Sequence, residues 1–190
     1  MFIVKNKYFL IIQSIKDLDL KKIKKRNKFS IIYRNHNNLD KIIDLLRFRN
    51  SCRLKGISFF IANNLKLAVL LKADGIYLSS YNNSLKSLNS KGFKFQLIGS
   101  AHNLKEIINK IKQGCKTILL SKLFLVDYDK KAAYLGVSKF NNFLKINKNL
   151  IPLGGIKQSN YKALNIVNSE GLALLSEVKK KPTNIISRLF

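Results

Sequence analysis

Apolar residues fall along this chain in two rhythms. Short runs rich in β-branched, aromatic and leucine residues occur at Tyr8 to Gln13, Ser30 to Arg34, Ile57 to Ala62, Gly75 to Ser79, Phe95 to Ser100, Thr117 to Ser121, Leu150 to Gly154 and Leu172 to Ser176. Each has the length and composition of a buried strand. Between them apolar positions are spaced three and four apart, as in Leu39, Ile42, Ile43 and Leu46, or Leu104, Ile107, Ile108 and Ile111. That spacing gathers them on one face of a helix. Asn38, Asn103 and Ser159 precede three of these segments, where a short polar side chain accepts a bond from an unpaired N–H of the first turn.

Strands alternating with helices, without a hairpin signal, predict a parallel sheet. Eight of them close into a compact α/β fold, the eight-stranded (β/α) TIM barrel. An open doubly wound sheet is the alternative. The only prolines are Pro152 and Pro182, and no Gly- or Ser-rich stretch divides the chain. Residues 1–190 therefore read as a single barrel domain.

An apolar share of 46% over 190 residues supports a core of ordinary size. Apolar runs such as Tyr8 to Ile12 fall far short of the roughly 20 residues that span a bilayer. The first residues pass straight into a strand-like segment without the ordered features of a secretory leader. The expectation is a cytoplasmic protein without membrane contact. Cys52 and Cys115 stand alone, with no metal-ligand spacing, and are expected as buried reduced thiols.

The formal charge of +26 would by itself suggest nucleic acid or an anionic surface. The basic residues are 30 Lys and 6 Arg, accompanied by 21 Asn. A/T-rich codons impose that bias on every position, whereas a nucleic-acid face would favour Arg and concentrate its charge. A nucleic-acid partner is not expected.

Barrels of this kind carry their chemistry at the C-terminal ends of the strands and commonly hold phosphate between the loops after strands seven and eight. Leu153-Gly154-Gly155-Ile156 follows the seventh run, and two residues without side chains let backbone N–H groups approach an oxyanion. The eighth run ends at Leu175 and Ser176, whose amides and hydroxyl would complete such a cradle. A tight turn into a helix is the other reading of the glycine pair. The remaining strand ends bring Arg34, His36, Asn63, Asn82, Ser100 and His102 to one mouth. His102 is either a general acid or base or a hydrogen-bonded structural histidine. Acids near strand ends are limited to Asp127, Asp129 and Glu177. Magnesium held with a diphosphate usually takes one or two carboxylates, so no metal ligand is assigned.

In order, these strand ends resemble the thiamine-phosphate-synthase/TenI superfamily from about Ile31 to Val178. Leu153-Gly154-Gly155-Ile156 is similar to the family's Gly-Gly-Ile, and Gly171-Leu172-Ala173-Leu174-Leu175-Ser176 to its Gly-Val-Ala-Val-Val-Ser. Ala73-Asp74-Gly75-Ile76-Tyr77-Leu78 is similar to Ala-Asp-Gly-Val-His-Leu. Gly99-Ser100-Ala101-His102-Asn103-Leu104 is similar to Gly-x-Ser-x-His-x-Leu with one residue fewer. Tyr134-Leu135-Gly136 with Phe140 resembles the end of the sixth loop, and Ser121-Lys122-Leu123-Phe124 stands where Gly-Pro-Ile-Phe is usual.

The resemblance implies a synthase that joins hydroxymethylpyrimidine diphosphate to thiazole phosphate and releases diphosphate with magnesium assistance. It assigns ligand phosphate to Gly154, Gly155, Leu175 and Ser176, and carries Ser100 and His102 over directly. The departures are specific. Arg34 is retained for diphosphate, but His36 replaces the family lysine. Asn63 and Asn82 stand where the metal carboxylates belong. Val126 is near the loop threonine, and Lys130 or Lys131 is near the loop lysine. In the synthase reading Mg2+ is the cofactor, with Asp127, Asp129 or Glu177 replacing the lost ligands. The alternatives are a metal-free TenI-like thiazole tautomerase using His102, and a non-catalytic barrel that binds a phosphate ligand.

Overall fold

The apolar runs pair edge to edge in the order of the sequence. In the computed structural model, which describes residues 5–23, 26–35, 40–84, 95–129 and 131–175, the strands are β1 (Lys7–Ile12), β2 (Phe29–Tyr33), β3 (Ser58–Ala62), β4 (Gly75–Leu78), β5 (Gln96–Ala101), β6 (Thr117–Ser121), β7 (Leu150–Leu153) and β8 (Gly171–Leu174). All neighbours are parallel. Ile11 lies opposite Ile32, Ile32 opposite Phe60, and the pairing of Leu10 with Leu174 closes the ring. The eight-stranded barrel is thus formed, and the open sheet is not.

Successive strand residues face opposite sides of a sheet, which sorts the core into two layers. Phe9, Ile11, Ile32, Phe60, Leu119 and Ile151 fill the barrel interior. The interleaved Tyr8, Leu10, Ile12, Ile31, Phe59 and Leu120 point outward and are buried under the helices. Burial on both faces explains why the strands read as nearly continuous apolar runs rather than as alternating ones.

The outer helices are α1 (Ile42–Leu54), α2 (Leu65–Leu70), α3 (Leu104–Lys112) and α4 (Gly136–Ile146), with a 3-10 segment at Gln158–Ile166. Asn103 caps α3 by accepting from the Glu106 N–H at 2.9 Å. Ser159 lies inside the 3-10 segment rather than ahead of a helix, and Asn38 and Leu39 lie outside the described residues.

The expected helix faces need correction. In α1 the buried positions are Leu45, Arg49 and Cys52, while Ile42, Ile43 and Leu46 are exposed. In α3 Ile107 and Lys110 are buried, while Leu104, Ile108 and Ile111 are exposed. In both helices a long basic side chain has been drawn inward by polar partners. Arg49 donates to Lys72 O at 3.1 Å and to Asp74 Oδ1 at 2.9 Å, and Asp74 in turn takes the Phe59 N–H at 2.7 Å. The aliphatic stem of Lys110 packs where a side chain on Gly99 would otherwise stand. Its ammonium reaches Asn82 O at 2.6 Å and Gln113 Oε1 at 2.8 Å. A buried charge is tolerable only with such partners.

Cys52 and Cys115 are free and buried. Burial pushes their thiols up to about 12 and about 11 respectively. No helix among the described residues is long and apolar enough to cross a membrane.

Candidate functional site

The C-terminal strand ends surround a cavity of about 200 Å³ whose lining includes Arg34, Tyr77, Ser100, His102, Lys122, Gly154, Gly155, Lys157 and Leu175. Each comes from the end of a strand or the loop just after it, which is where parallel barrels place variable chemistry on a rigid frame.

Gly154 and Gly155 turn the chain out of β7 with φ of +92° and +69°, a region that L side chains rarely adopt. Space is also closed. A Cβ on Gly155 would meet Phe124 O at 2.3 Å, and one on Gly154 would meet Lys122 Cα at 3.3 Å. Both carbonyls are occupied, Gly154 O by the Phe124 N–H at 3.1 Å and Gly155 O by Asn160 Nδ2 at 2.7 Å. What this turn can offer a ligand is its amide N–H groups, which suit an anion.

Arg34 continues the β2 ladder through its N–H to Ile12 O at 2.8 Å. Its Nε is buried and has no hydrogen-bond partner among the described residues. An unpaired buried donor on a charged group is costly; the residue also lines the cavity, which sets a guanidinium charge beside any anion bound there. Tyr77, in the barrel interior, shares a hydrogen bond with Ser100; burial outweighs that bond and the nearby Arg34 and raises its phenol above the usual tyrosine range. Ser100 is also buried. His102 Nδ1 lies 3.0 Å from Ser121 Oγ, and its backbone N–H donates to Glu106 Oε2 at 2.8 Å, so ring and backbone are both held.

The structure therefore brings Arg34, Ser100, His102, Gly154, Gly155 and Leu175 together. His36, Lys130 and Ser176 lie outside the described residues, as does Glu177. Asn63 and Asn82 are placed differently from the expectation, because they bond to one another instead of lining the cavity. Asn82 Nδ2 donates to Asn63 Oδ1 at 3.1 Å. Asn63 Nδ2 donates to Ser79 Oγ at 2.6 Å and Tyr81 Oη at 3.1 Å, and Asn63 Oδ1 also accepts the Ser79 N–H at 3.1 Å. The Asn63 backbone is left-handed, with φ of +54°.

A magnesium ion of the family type does not fit these residues. The two positions that the resemblance assigns to its carboxylates, Asn63 and Asn82, form a neutral network in which Asn63 presents N–H donors. Asp127 and Asp129 do not replace them, since each is ion-paired, Asp127 with Lys157 and Asp129 with Lys122 at 3.5 Å. Among the described residues no group of three or more His, Cys, Asp or Glu could hold a metal.

Lys122 and Lys157 were not picked out from the sequence. Lys122 directly follows β6 and Lys157 stands two residues past Gly155, so proximity to strand ends was the available signal. Ser79, Ser121 and Tyr128 also line the cavity; a serine at a strand end or a tyrosine in a loop carries no distinctive sequence pattern.

A family model described as thiamine monophosphate synthase matches residues 15–178. The chain is 28% identical over 141 residues to thiamine-phosphate synthase of Prochlorococcus marinus, covering 73% of this chain and 40% of that protein. It is 27% identical over 173 residues to thiamine-phosphate synthase of Pelagibacter ubique, covering 87% and 83%. It thus spans only about two fifths of the length of the Prochlorococcus relatives it matches. Among solved structures, thiamine phosphate pyrophosphorylase from Pyrococcus furiosus superposes with a TM-score of 0.71 at 18% identity, covering 98% of this chain and 96% of that one, which establishes the shared fold. With the family model spanning most of the chain and the barrel closed as described, this protein belongs to the thiamine monophosphate synthase family.

Proposed function

We propose that the chain works as a single barrel domain, in the cytoplasm, and forms thiamine phosphate from hydroxymethylpyrimidine diphosphate and thiazole phosphate. The observation that carries this reading is that one cavity is lined by two separate features suited to anions. One is the Gly154–Gly155 turn after β7. The other is Arg34 after β2, which lines the same cavity and whose buried Nε has no hydrogen-bond partner among the described residues; it is separated from the first by β1 and β8 around the ring. A reaction between two phosphorylated substrates needs both.

In that reaction the bond from the pyrimidine's methylene carbon to the diphosphate oxygen breaks, and its electron pair leaves with the diphosphate. A nucleophilic ring atom of the thiazole then closes on the resulting cation. Arg34 neutralises charge building on the leaving group through a charge-assisted hydrogen bond. The glycine turn holds thiazole phosphate so that encounter becomes positioning. The protonated Tyr77, bonded to Ser100, supplies a neutral polar wall.

A second reading, thiazole tautomerisation, is favoured by His102, which is held by Ser121 on the cavity wall. Proton transfer of that kind asks for an acid or base and one phosphate site, without the carboxylates that this chain lacks at positions 63 and 82.

Incubating the purified protein with both substrates, in magnesium and in EDTA, tests the proposal. Thiamine phosphate and diphosphate formed in equal amounts are the expected products. Their absence under both conditions, with aromatisation of the thiazole tautomer observed instead, would assign the second reading.

A further inference from the structure

Lys122 and Lys157 flank the glycine turn from two adjacent strands. Ser121 is paired with Leu153 in the β6–β7 register, so Lys122 and Gly154 emerge side by side, and Lys122 Cα is the backbone atom nearest to where a Gly154 side chain would begin. Both lysines line the cavity. Both are partly shielded from water, with side-chain exposures of 22% and 35%. Their partners, Asp129 and Asp127, lie on one short loop whose ends meet through the Val126–Asp129 bridge, and the Lys122 ammonium also sits 5.7 Å from the centre of the Tyr128 ring.

The charges in the lining are unbalanced. Among the described residues of the lining, Arg34, Lys122 and Lys157 face a single carboxylate, Asp127. At the end of β6, Lys122 occupies the place where the resembling family pattern has proline, so its cation belongs to this chain. Neutral amides alone discriminate weakly between a dianion and a neutral polar group. Two lysine side chains lining the same cavity favour a dianion strongly, and more so where they are partly shielded from water.

We propose that Lys122 and Lys157 are direct ligands of the phosphomonoester at the Gly154–Gly155 turn, and that Asp129 and Asp127 hold the two ammonium groups until the phosphate displaces them. The assignment rests on the reading of that turn as a thiazole-phosphate site. The loop carboxylates act as internal competitors, so their removal and removal of the lysines shift affinity in opposite directions. A purely structural ion pair does not produce that pattern.

Calorimetric titration in EDTA tests it with thiazole phosphate, its unphosphorylated alcohol and inorganic phosphate as probes. Lys122→Met and Lys157→Met should each weaken thiazole-phosphate binding about tenfold without affecting the alcohol. Lys122→Arg and Lys157→Arg should retain most of the affinity, and Asp127→Asn and Asp129→Asn should raise it severalfold. Lysine variants that are folded and bind thiazole phosphate as tightly as the parent overturn the clamp, as do aspartate variants that weaken it. If the parent rejects thiazole phosphate, the ligand assignment of the site fails, and inorganic phosphate decides the clamp separately. Lysine-dependent phosphate binding upholds it; lysine-independent binding or none overturns it.

Discussion

Asn82 donates its side-chain amide to Asn63 Oδ1 across 3.1 Å, joining the two positions that the sequence resemblance matches to the family's metal carboxylates. The backbone beneath it is built to last, because Lys110 and Gln113 both donate to Asn82 O, at 2.6 and 2.9 Å. The position is therefore preorganised but uncharged. Replacing both residues, Asn63→Asp with Asn82→Asp, should create a divalent-cation site. Aspartate also tolerates the left-handed backbone at position 63. The expected outcome is a double variant less stable by about 1–3 kcal/mol without metal, from lost donors and like-charge repulsion, and restored by magnesium. Thermal melts with and without MgCl2 check it. A melting point indifferent to magnesium in the double variant would show that the network is not a vestigial metal site.

The two cradle glycines differ in what surrounds them, and their variants should differ accordingly. Gly155→Ala puts a methyl group 2.3 Å from the Phe124 carbonyl oxygen, which only backbone movement can relieve. A loss of roughly 2–4 kcal/mol is expected, from overpacking added to left-handed strain. Gly154→Ala meets Lys122 atoms at 3.3 Å, and its loss should stay near the strain alone, about 1–2 kcal/mol. Gly154→Asp adds a negative charge to the proposed anion site and should abolish thiazole-phosphate binding. Denaturant melts alongside ligand titration separate the two effects.

Alkali should unfold the protein in a defined window. Burial raises the Cys52 thiol from 9.0 to about 12, Cys115 from 9.0 to about 11, and Tyr33 from 10.0 to about 12. Between its unfolded and folded values each group keeps its proton in the native state and loses it in the unfolded chain. The native state thus binds more protons, and stability falls as pH rises. The decline should begin near pH 9 and steepen toward pH 12. Cys52→Ala should flatten its lower part in unfolding measured from pH 8 to 11. Both thiols should resist alkylation in the native protein and react on unfolding.

The barrel was legible in the sequence because strands buried on both faces cannot hide; Phe9 and Leu10 are both core, one inside the ring and one outside it. The helices were legible as helices but not by face. Arg49 and Lys110 sit in the buried stripes of α1 and α3, and periodicity of apolar residues cannot foresee a basic side chain pulled in by Asp74 or by the Asn82 carbonyl. The glycine turn stood out because paired glycines after a strand are rare in this chain. Lys122 and Lys157 did not, because in a chain with 30 lysines only position past a strand end separates a ligand from a solvated surface charge.

Arg34 separates the two reactions proposed for this cavity. Its Nε is buried without a hydrogen-bond partner among the described residues, so Arg34→Met removes a desolvated donor while leaving the apolar stem in place, and the fold should hold within about 1 kcal/mol. If Arg34 neutralises a departing diphosphate, the variant loses a charge-assisted hydrogen bond of about 2–3 kcal/mol in the transition state. Thiamine phosphate formation should then fall roughly 30- to 150-fold. Thiazole-phosphate affinity should be unchanged, because the position proposed for that ligand is at the end of β7, with β8 and β1 between it and β2 around the ring. Tautomerisation has no leaving diphosphate and should be indifferent to the change. Rates of both reactions, measured on one preparation of the variant with a matched thiazole-phosphate titration, give the answer. A selective loss of thiamine phosphate formation places Arg34 on the second substrate. Equal loss of both, with weakened thiazole-phosphate binding, would place it on the first and remove the argument for two anion positions.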